Sequence, residues 1–290
     1  LGVANLGIKA GIDPEQIHND IRQATISAPM PDREIADAIK RAASNYRQEG
    51  AVCHFRPKPK PLIQNGHEAL QRIITQGQID NEADLREISP IRLPNNPAEE
   101  AVRFLDTLYS PGDLIFIGDR YHDGVIGRTI RSRDKWLRHL RAGNAPGPHL
   151  IINPLSGMPA PKKSGDGDSY RGDSNVKVFR YCLVEFDNLP REDQIRFYSA
   201  AKLPIRALID TGGKSLHAWI DVSKLFQVTT EAEWDKHIKF GLYEKALIPL
   251  GVDRACCNPS RLSRLPGWLR TETGRFQRIL WLSQDGREVV

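Results

Sequence analysis

The chain has 290 residues, 40% of them hydrophobic and 27% charged, with a formal net charge of +5. These are the proportions of a soluble globular protein with one large domain plus a small one, or two of ordinary size. No apolar run approaches the ~20 residues of a membrane span, and the mild basic excess favours an acidic partner such as nucleic acid.

Residues 1 to about 50 read as helical. Asp13 stands as N-cap before Pro14 and a stripe of Ile17 and Ile21. After a turn at Pro29–Pro31, Asp32 is expected to cap a second helix carrying Ile35, Ala38, Ile39 and Ala42. Within residues 51–62 Pro and Lys alternate from Pro57 to Pro61, which predicts an extended linker and a domain boundary. Gly66 to Ile88 is expected to be helical, as is Pro97 to Tyr109 with Ala101, Phe104, Leu105 and Leu108 inward.

The period then changes. A strand is expected over Asp113–Ile117, a polar turn over Gly118–Gly127, and a basic helix over Ser132–Arg141 with Trp136, Leu137 and Leu140 inward. His149–Pro154 reads as a strand, and the Gly-, Ser- and Asp-rich Pro159–Asn175 as a mobile loop. Val178–Asp187 is a strand ending in Glu185 and Asp187, followed by a helix over Pro190–Ala201. Two strands, Ala207–Asp210 and His217–Val222, flank the Thr211-Gly212-Gly213 turn. A helix over Thr230–Leu250, with Trp234, Ile238, Leu242 and Ala246 on one side, precedes a last strand, Phe276–Leu282. The succession is α+β, with small helical units ahead of a mixed catalytic part.

Several residue types in this pattern carry chemistry. Glu185 and Asp187, two apart on a strand, project side by side, and neighbouring carboxylates need a cation or donors between them. Hard oxygens suit Mg²⁺ or Mn²⁺, and a third carboxylate would complete a two-metal clamp. Asp253 is the best third candidate, because Asp210 and Asp221 sit at strand ends where turns use them. Ser215 and His217 share a strand face beside Lys214, and all three can serve phosphate oxygens. Arg261 and Arg264, three apart, are expected to share a helix face or tight turn and bind phosphate bidentately. Gly-Gly-Lys-Ser lacks the upstream glycine and following helix of a Walker loop.

Two basic segments stand out: Arg128, Arg131, Arg133, Lys135, Arg138 and Arg141, then Arg254, Arg261, Arg264, Arg270, Arg275 and Arg278. Each is either a nucleic-acid track or a solvated face. The cysteines (Cys53, Cys182, Cys256, Cys257) show no C-x-x-C, so a zinc site from Cys53, His54 and Cys256–Cys257 is a weak reading. Their use, with no basic-then-apolar leader, fits a reduced cytoplasmic setting. Leu1 in place of Met reads as a piece of a longer protein.

Taken together, Glu185-x-Asp187, Ser215-x-His217 and then Asp253 resemble the archaeo-eukaryotic primase superfamily. The likeness extends to the primase-polymerase domains of plasmid and phage replication proteins. Ile209-Asp210-Thr211-Gly212-Gly213-Lys214-Ser215-Leu216-His217 is similar to their second motif. Asn258-Pro259-Ser260-Arg261-Leu262-Ser263-Arg264-Leu265-Pro266-Gly267 is similar to the string after their third. The first helices resemble modules that accompany such domains.

The resemblance covers about 100–290. It implies an RRM-like catalytic sheet with a preceding α/β module, and with the helical pattern and linker read above the expected domains are 1–52 (helical), 53–96 (linker and connecting helix) and 97–290 (catalytic). It makes Glu185, Asp187 and Asp253 metal ligands for Mg²⁺ or Mn²⁺ and sets His217 on the triphosphate of an incoming nucleotide. Lys214, Ser215, Arg261 and Arg264 would support phosphates or template. Implied substrates and partners are nucleoside triphosphates, a single-stranded DNA template with its primer, and a helicase domain or protein. Glu185 departs from the commoner Asp. A relaxase-type nuclease would want a second His after His217-Ala218-Trp219, and a degenerate nucleic-acid-binding module would have little use for three carboxylates.

Overall fold

The computed structural model describes residues 4, 7, 8, 11–24, 31–48, 65–144, 147–162, 165 and 167–290. The Pro/Lys stretch 51–62, Cys53, His54, Pro29 and Met30 lie outside the described residues. The chain divides into two compact units, Leu1–Lys58 and Pro59–Val290. No helix among the described residues is long and apolar enough to cross a membrane.

In the first unit, α1 (Pro14–Ala24) and α2 (Asp32–Gln48) bury Ile17 against Ile35, Ala38, Ile39 and Ala42. Asp13 caps α1, its Oδ2 accepting from the Glu15 N–H at 2.9 Å. Asp32 is not the cap of α2. The helix begins at that residue, and the Pro31 carbonyl accepts from the Glu34 N–H at 2.9 Å.

The second unit opens with α3 (Gly66–Gln76) and α4 (Glu82–Glu87), two helices where one was expected. Gly77 explains the break: a Cβ there would lie 2.3 Å from the Arg196 carbonyl oxygen, so close packing turns the chain. Leu70, Ile74 and Leu85 join the main core, which also takes Ala101, Phe104, Leu105 and Leu108 of α5 (Pro97–Leu108).

Two four-stranded antiparallel sheets follow. The first, in the order β2-β1-β3-β9, uses β1 (Leu114–Gly118), β2 (Ile130–Ser132) and β3 (His149–Ile151). Helix α6 (Arg133–Arg141) buries Trp136, Leu137 and Leu140 beside it. The described residues of the stretch expected to be mobile are anchored instead. It carries a hairpin of β4 (Ala160–Pro161) and β5 (Asp168–Ser169), and buried Asn175 holds the Met158 and Ser169 carbonyls.

The second sheet, in the order β12-β7-β8-β6, surrounds the hairpin of β7 (Ile205–Asp210) and β8 (Leu216–Asp221). β6 (Tyr181–Val184) is followed by α7 (Arg191–Ala200) and lies at a sheet edge, where open carbonyls are a liability. Three of its carbonyls are taken by side chains: Tyr181 by Asn153 at 2.8 Å, Val184 by the Tyr198 hydroxyl at 3.0 Å, and Leu183 by Tyr243.

Tyr243 reaches that position because its helix is wide. Trp234–Leu247 winds with i→i+5 bonds, and its buried residues are Trp234, Ile238, Tyr243 and Leu247. The expected inward Leu242 and Ala246 are only half-buried. About one residue more per turn than an α-helix moves the buried stripe by one position.

The chain ends with β9 (Leu262–Arg264), a short hairpin of β10 (Leu269–Arg270) and β11 (Arg275–Phe276), and β12 (Arg278–Arg287). β9 completes the first sheet against β3, pairing His149 with Arg264 and Leu150 with Ser263. A strand from late in the chain thus joins the earlier module to the second sheet.

Candidate active site

The tie between the two sheets is where the chemistry-bearing residues meet. β6 ends at Val184, and the chain then bends. Phe186 stays buried against Phe197, so Glu185 and Asp187 both face away from it, Glu185 half-buried and Asp187 exposed. The Asp253 N–H donates to the Glu185 carbonyl at 2.9 Å, which fixes one carboxylate beside the other. Oδ1 of Asp253 is used locally, accepting from the Ala255 N–H at 3.0 Å, and Oδ2 faces the site.

Glu185 gathers donors from two other segments. Its Oε1 accepts from Ser215 Oγ at 2.8 Å and from His217 Nε2 at 3.2 Å. Arg261 spans both acids, with Nη2 at 3.8 Å from Glu185 Oε2 and 3.3 Å from Asp253 Oδ2. Burial would raise the Glu185 carboxyl, but His217, the Ser215 hydroxyl and Arg261 outweigh it and hold the group down to about 2. An ionised carboxylate only accepts, so Nε2 of His217 bears a hydrogen. The buried Ser263 Oγ accepts from Trp219 Nε1 at 2.9 Å and lies 3.0 Å from His217 Nδ1. With the indole donating, the Ser263 hydroxyl hydrogen is free for Nδ1, which orients the imidazole toward Glu185.

The residues fit a hard divalent ion. One oxygen each from Glu185 and Asp253 and the Cys256 sulfur lie within 4.8 Å of one another. The oxygens suit Mg²⁺ or Mn²⁺. The Cys256 thiol is pushed up by burial, against the effect of Arg261, and is a donor 3.9 Å from Glu185 Oε2 and 4.0 Å from Asp253 Oδ2. Asp187 lies outside that radius, although its negative charge also raises the Cys256 thiol.

Arg261 and Arg264 do not share a helix face. Arg264 belongs to a strand, and the odd spacing sends the two side chains to different partners. Arg264 Nη1 donates to His149 Nε2 at 2.8 Å, and no carboxylate of the described residues pairs with it. Burial, then Arg264, lowers His149 to about 4, so the imidazole is a neutral acceptor. Burial and neighbouring Arg270 lower Arg264 itself. These side chains line a cavity of about 380 Å³ together with Arg120 and Tyr121.

The glycine pair makes room for this arrangement. Gly212 has φ +68°, and a Cβ on Gly213 would lie 2.6 Å from Arg270 Nη1. The Thr273 hydroxyl straps the turn through the Gly212 carbonyl at 2.7 Å. Lys214 is exposed at its tip. Asp210 and Asp221 serve turns and arginines: Asp210 accepts from the Gly212 N–H and pairs with Arg191 and Arg275, and Asp221 pairs with Arg206.

The basic segments divide by role. Arg254 pairs with Glu244 and Arg278 with buried Glu100, leaving Arg261, Arg264 and Arg270 for the site and cavity. In the earlier segment Arg133 is tied to Asp106 and Asp134, whereas Arg128, Lys135, Arg138 and Arg141 are exposed. Asp173 Oδ1 accepts from the Ser260 hydroxyl at 2.6 Å, and Asn153 donates to the Pro259 carbonyl at 2.9 Å. These two, with Ser263, Cys256 and His149, complete the site without any signal in local spacing.

No family model matches the chain, and no curated protein sequence matches it. Among solved structures it is similar to the AEP domain (PP-N190) of the cyanophage S-2L primase-polymerase (PrimPol). That likeness has 15% identity, covers 68% of this chain and 96% of that one, and has a TM-score of 0.39.

Proposed function

We propose that the chain is a template-dependent nucleotidyltransferase, a primase-polymerase that joins nucleotides from triphosphates on single-stranded DNA. One observation carries this reading: Glu185 and Asp253 meet Ser215, His217 and Arg261 at one point, in the chain order of the motifs that resemble primase-polymerases. The second sheet, with its strand-helix-strand-strand-helix-strand succession, is read as an RRM-like platform that departs from that fold in its last strand, since β12 pairs with β7 and not with β6. Asp187 is the third, outer carboxylate.

When bound, divalent ions would activate a 3′-hydroxyl and neutralise the pyrophosphate leaving group. The side chains supply the rest. Glu185, already ionised, accepts a cation at neutral pH without first losing a proton. A cation there would also take over the role of Arg261, freeing the guanidinium for a phosphate oxygen. His217 Nε2–H, oriented by Ser263, would be the donor available to a triphosphate oxygen with Glu185 holding the cation. Arg264 and Arg270 neutralise the phosphates further out, and the exposed cations of the first basic segment track the template backbone.

The test is primer synthesis and extension on single-stranded DNA with Mg²⁺ or Mn²⁺, comparing wild type with Glu185→Ala/Asp187→Ala. Metal-dependent product that disappears in the double variant is expected. Product that persists unchanged would sink the reading, and nicking of the template in its place would point to a nuclease.

A further inference from the structure

The cationic cavity holds polar atoms that phosphate binding leaves unused. Gln277 is fully buried on its wall, between β11 and β12. Its backbone is satisfied, the N–H donating to the Trp268 carbonyl at 2.8 Å and the C=O accepting from Gly267 at 2.7 Å. Among the described residues neither Nε2 nor Oε1 of its side chain has a partner. On the same wall His149 accepts from Arg264 through Nε2, which leaves the hydrogen on Nδ1, and Nδ1 is also buried and has no partner among the described residues.

Buried amides and imidazoles are nearly always hydrogen-bonded, because losing water without replacement is unfavourable. Here the two residues that carry these three buried atoms both line one cavity, of a size typical for small-molecule sites, beside Arg120, Arg264 and Arg270. The acids on that wall do not answer them. Asp119 accepts from the Tyr121 N–H, and Glu272 is largely exposed and pairs with Arg270. Cations call for phosphates. A primary amide calls for a group that both gives and accepts a hydrogen bond, which a nucleotide offers in a sugar hydroxyl or a base edge.

We propose that Gln277, with His149, hydrogen-bonds the nucleoside portion of the nucleotide whose phosphates Arg264 and Arg270 neutralise, and so sets which nucleotide the site prefers. This rests on the nucleotidyl-transfer reading. Gln277 is a specificity residue, remote from the reacting atoms.

The test measures calorimetric affinities of wild type and Gln277→Leu for the four ribonucleoside triphosphates, the four deoxynucleoside triphosphates and inorganic tripolyphosphate, with melting temperatures of both proteins. Leucine matches the buried volume and removes both unpaired atoms, so the variant should melt at or above wild type. Tripolyphosphate should bind within about twofold of wild type, because the arginines are intact, while the preferred nucleotides weaken roughly tenfold or more. Loss confined to ribonucleotides assigns the partner as a sugar hydroxyl, and loss confined to one base assigns a base edge. Unchanged nucleotide affinities, or a lower melting temperature with selectivity intact, would make Gln277 structural and overturn the proposal. Wild type that binds neither nucleotides nor tripolyphosphate overturns the nucleotidyl-transfer reading itself.

Discussion

The acidic cluster and the cationic cavity lie on either side of β9 and treat their charges in opposite ways. Glu185 and Asp253 share the Arg261 guanidinium, and Glu185 also accepts from His217 and Ser215. Arg264 leans on a neutral imidazole, and Arg270 pairs, among the described residues, with an exposed glutamate. Removing one partner of a partly buried ion pair is destabilising, whereas a half-buried cation without a buried carboxylate is held there at a cost. The contrast teaches that the acidic side is folded around its own counter-charge, whereas the basic side has the free positive charge that the proposed nucleotide reading assigns to phosphates.

Removing the acids should have the largest effect. Glu185→Gln with Asp253→Asn is expected to lower primer extension on the order of a thousandfold, a loss typical of removing groups that stabilise transition-state charge. Extension that is merely halved would show that the cluster is structural.

The two arginines test the contrast directly. Arg261→Met leaves both carboxylates without their cation and should destabilise the fold by about 2 to 4 kcal/mol. Arg264→Met should leave stability unchanged or raise it, while tripolyphosphate affinity drops on the order of tenfold. Denaturant unfolding and calorimetry read both, and equal destabilisation of the two variants would erase the distinction.

Acid should act on the two regions in separate windows. His149 is held from an ordinary 6.5 down to about 4, so the unfolded chain takes up a proton that the folded one refuses. Stability should therefore fall as pH drops from 6.5 toward 4, by up to about 3 kcal/mol, and His149→Gln should flatten that slope. Glu185 is held from 4.5 down to about 2, so its contribution is complete above pH 4.5 and is lost as pH falls toward 2. Glu185→Gln should remove only this lower window. Unfolding free energies measured at stepped pH separate the two, and a single shared window would contradict the assignment.

The smallest effect is expected from Gly213→Ala. The added Cβ meets the end of the flexible Arg270 side chain, so stability should change by no more than about 1 kcal/mol. Displacement of Arg270 should weaken tripolyphosphate binding a few-fold. Unaltered binding would place Arg270 outside the phosphate contacts.

Much of the framework was legible along the chain because it depends on local period. The stripe of α5, the inward Trp136, Leu137 and Leu140 of α6, and the β7–β8 hairpin follow from alternation and helix spacing. The shared face of Ser215 and His217 follows the same way, and both side chains end on Glu185 Oε1. The failures arose where packing overrode period. Gly77 broke a helix under the Arg196 carbonyl, and the wide turns of Trp234–Leu247 carried Tyr243 inward in place of Leu242.

By itself, then, the sequence determined the kinds of element, the order of the motifs and the supply of carboxylates, hydroxyls and arginines. Only the tertiary structure decided which charge meets which. It gave Arg261 to the acids and Arg264 to His149, left Asp187 at the rim, and brought Ser263, Cys256 and Gln277 in from positions with no periodic signal. The reason is physical. Period records which side of an element is apolar, whereas the pairing of charges depends on desolvation and on distances between segments far apart in the chain.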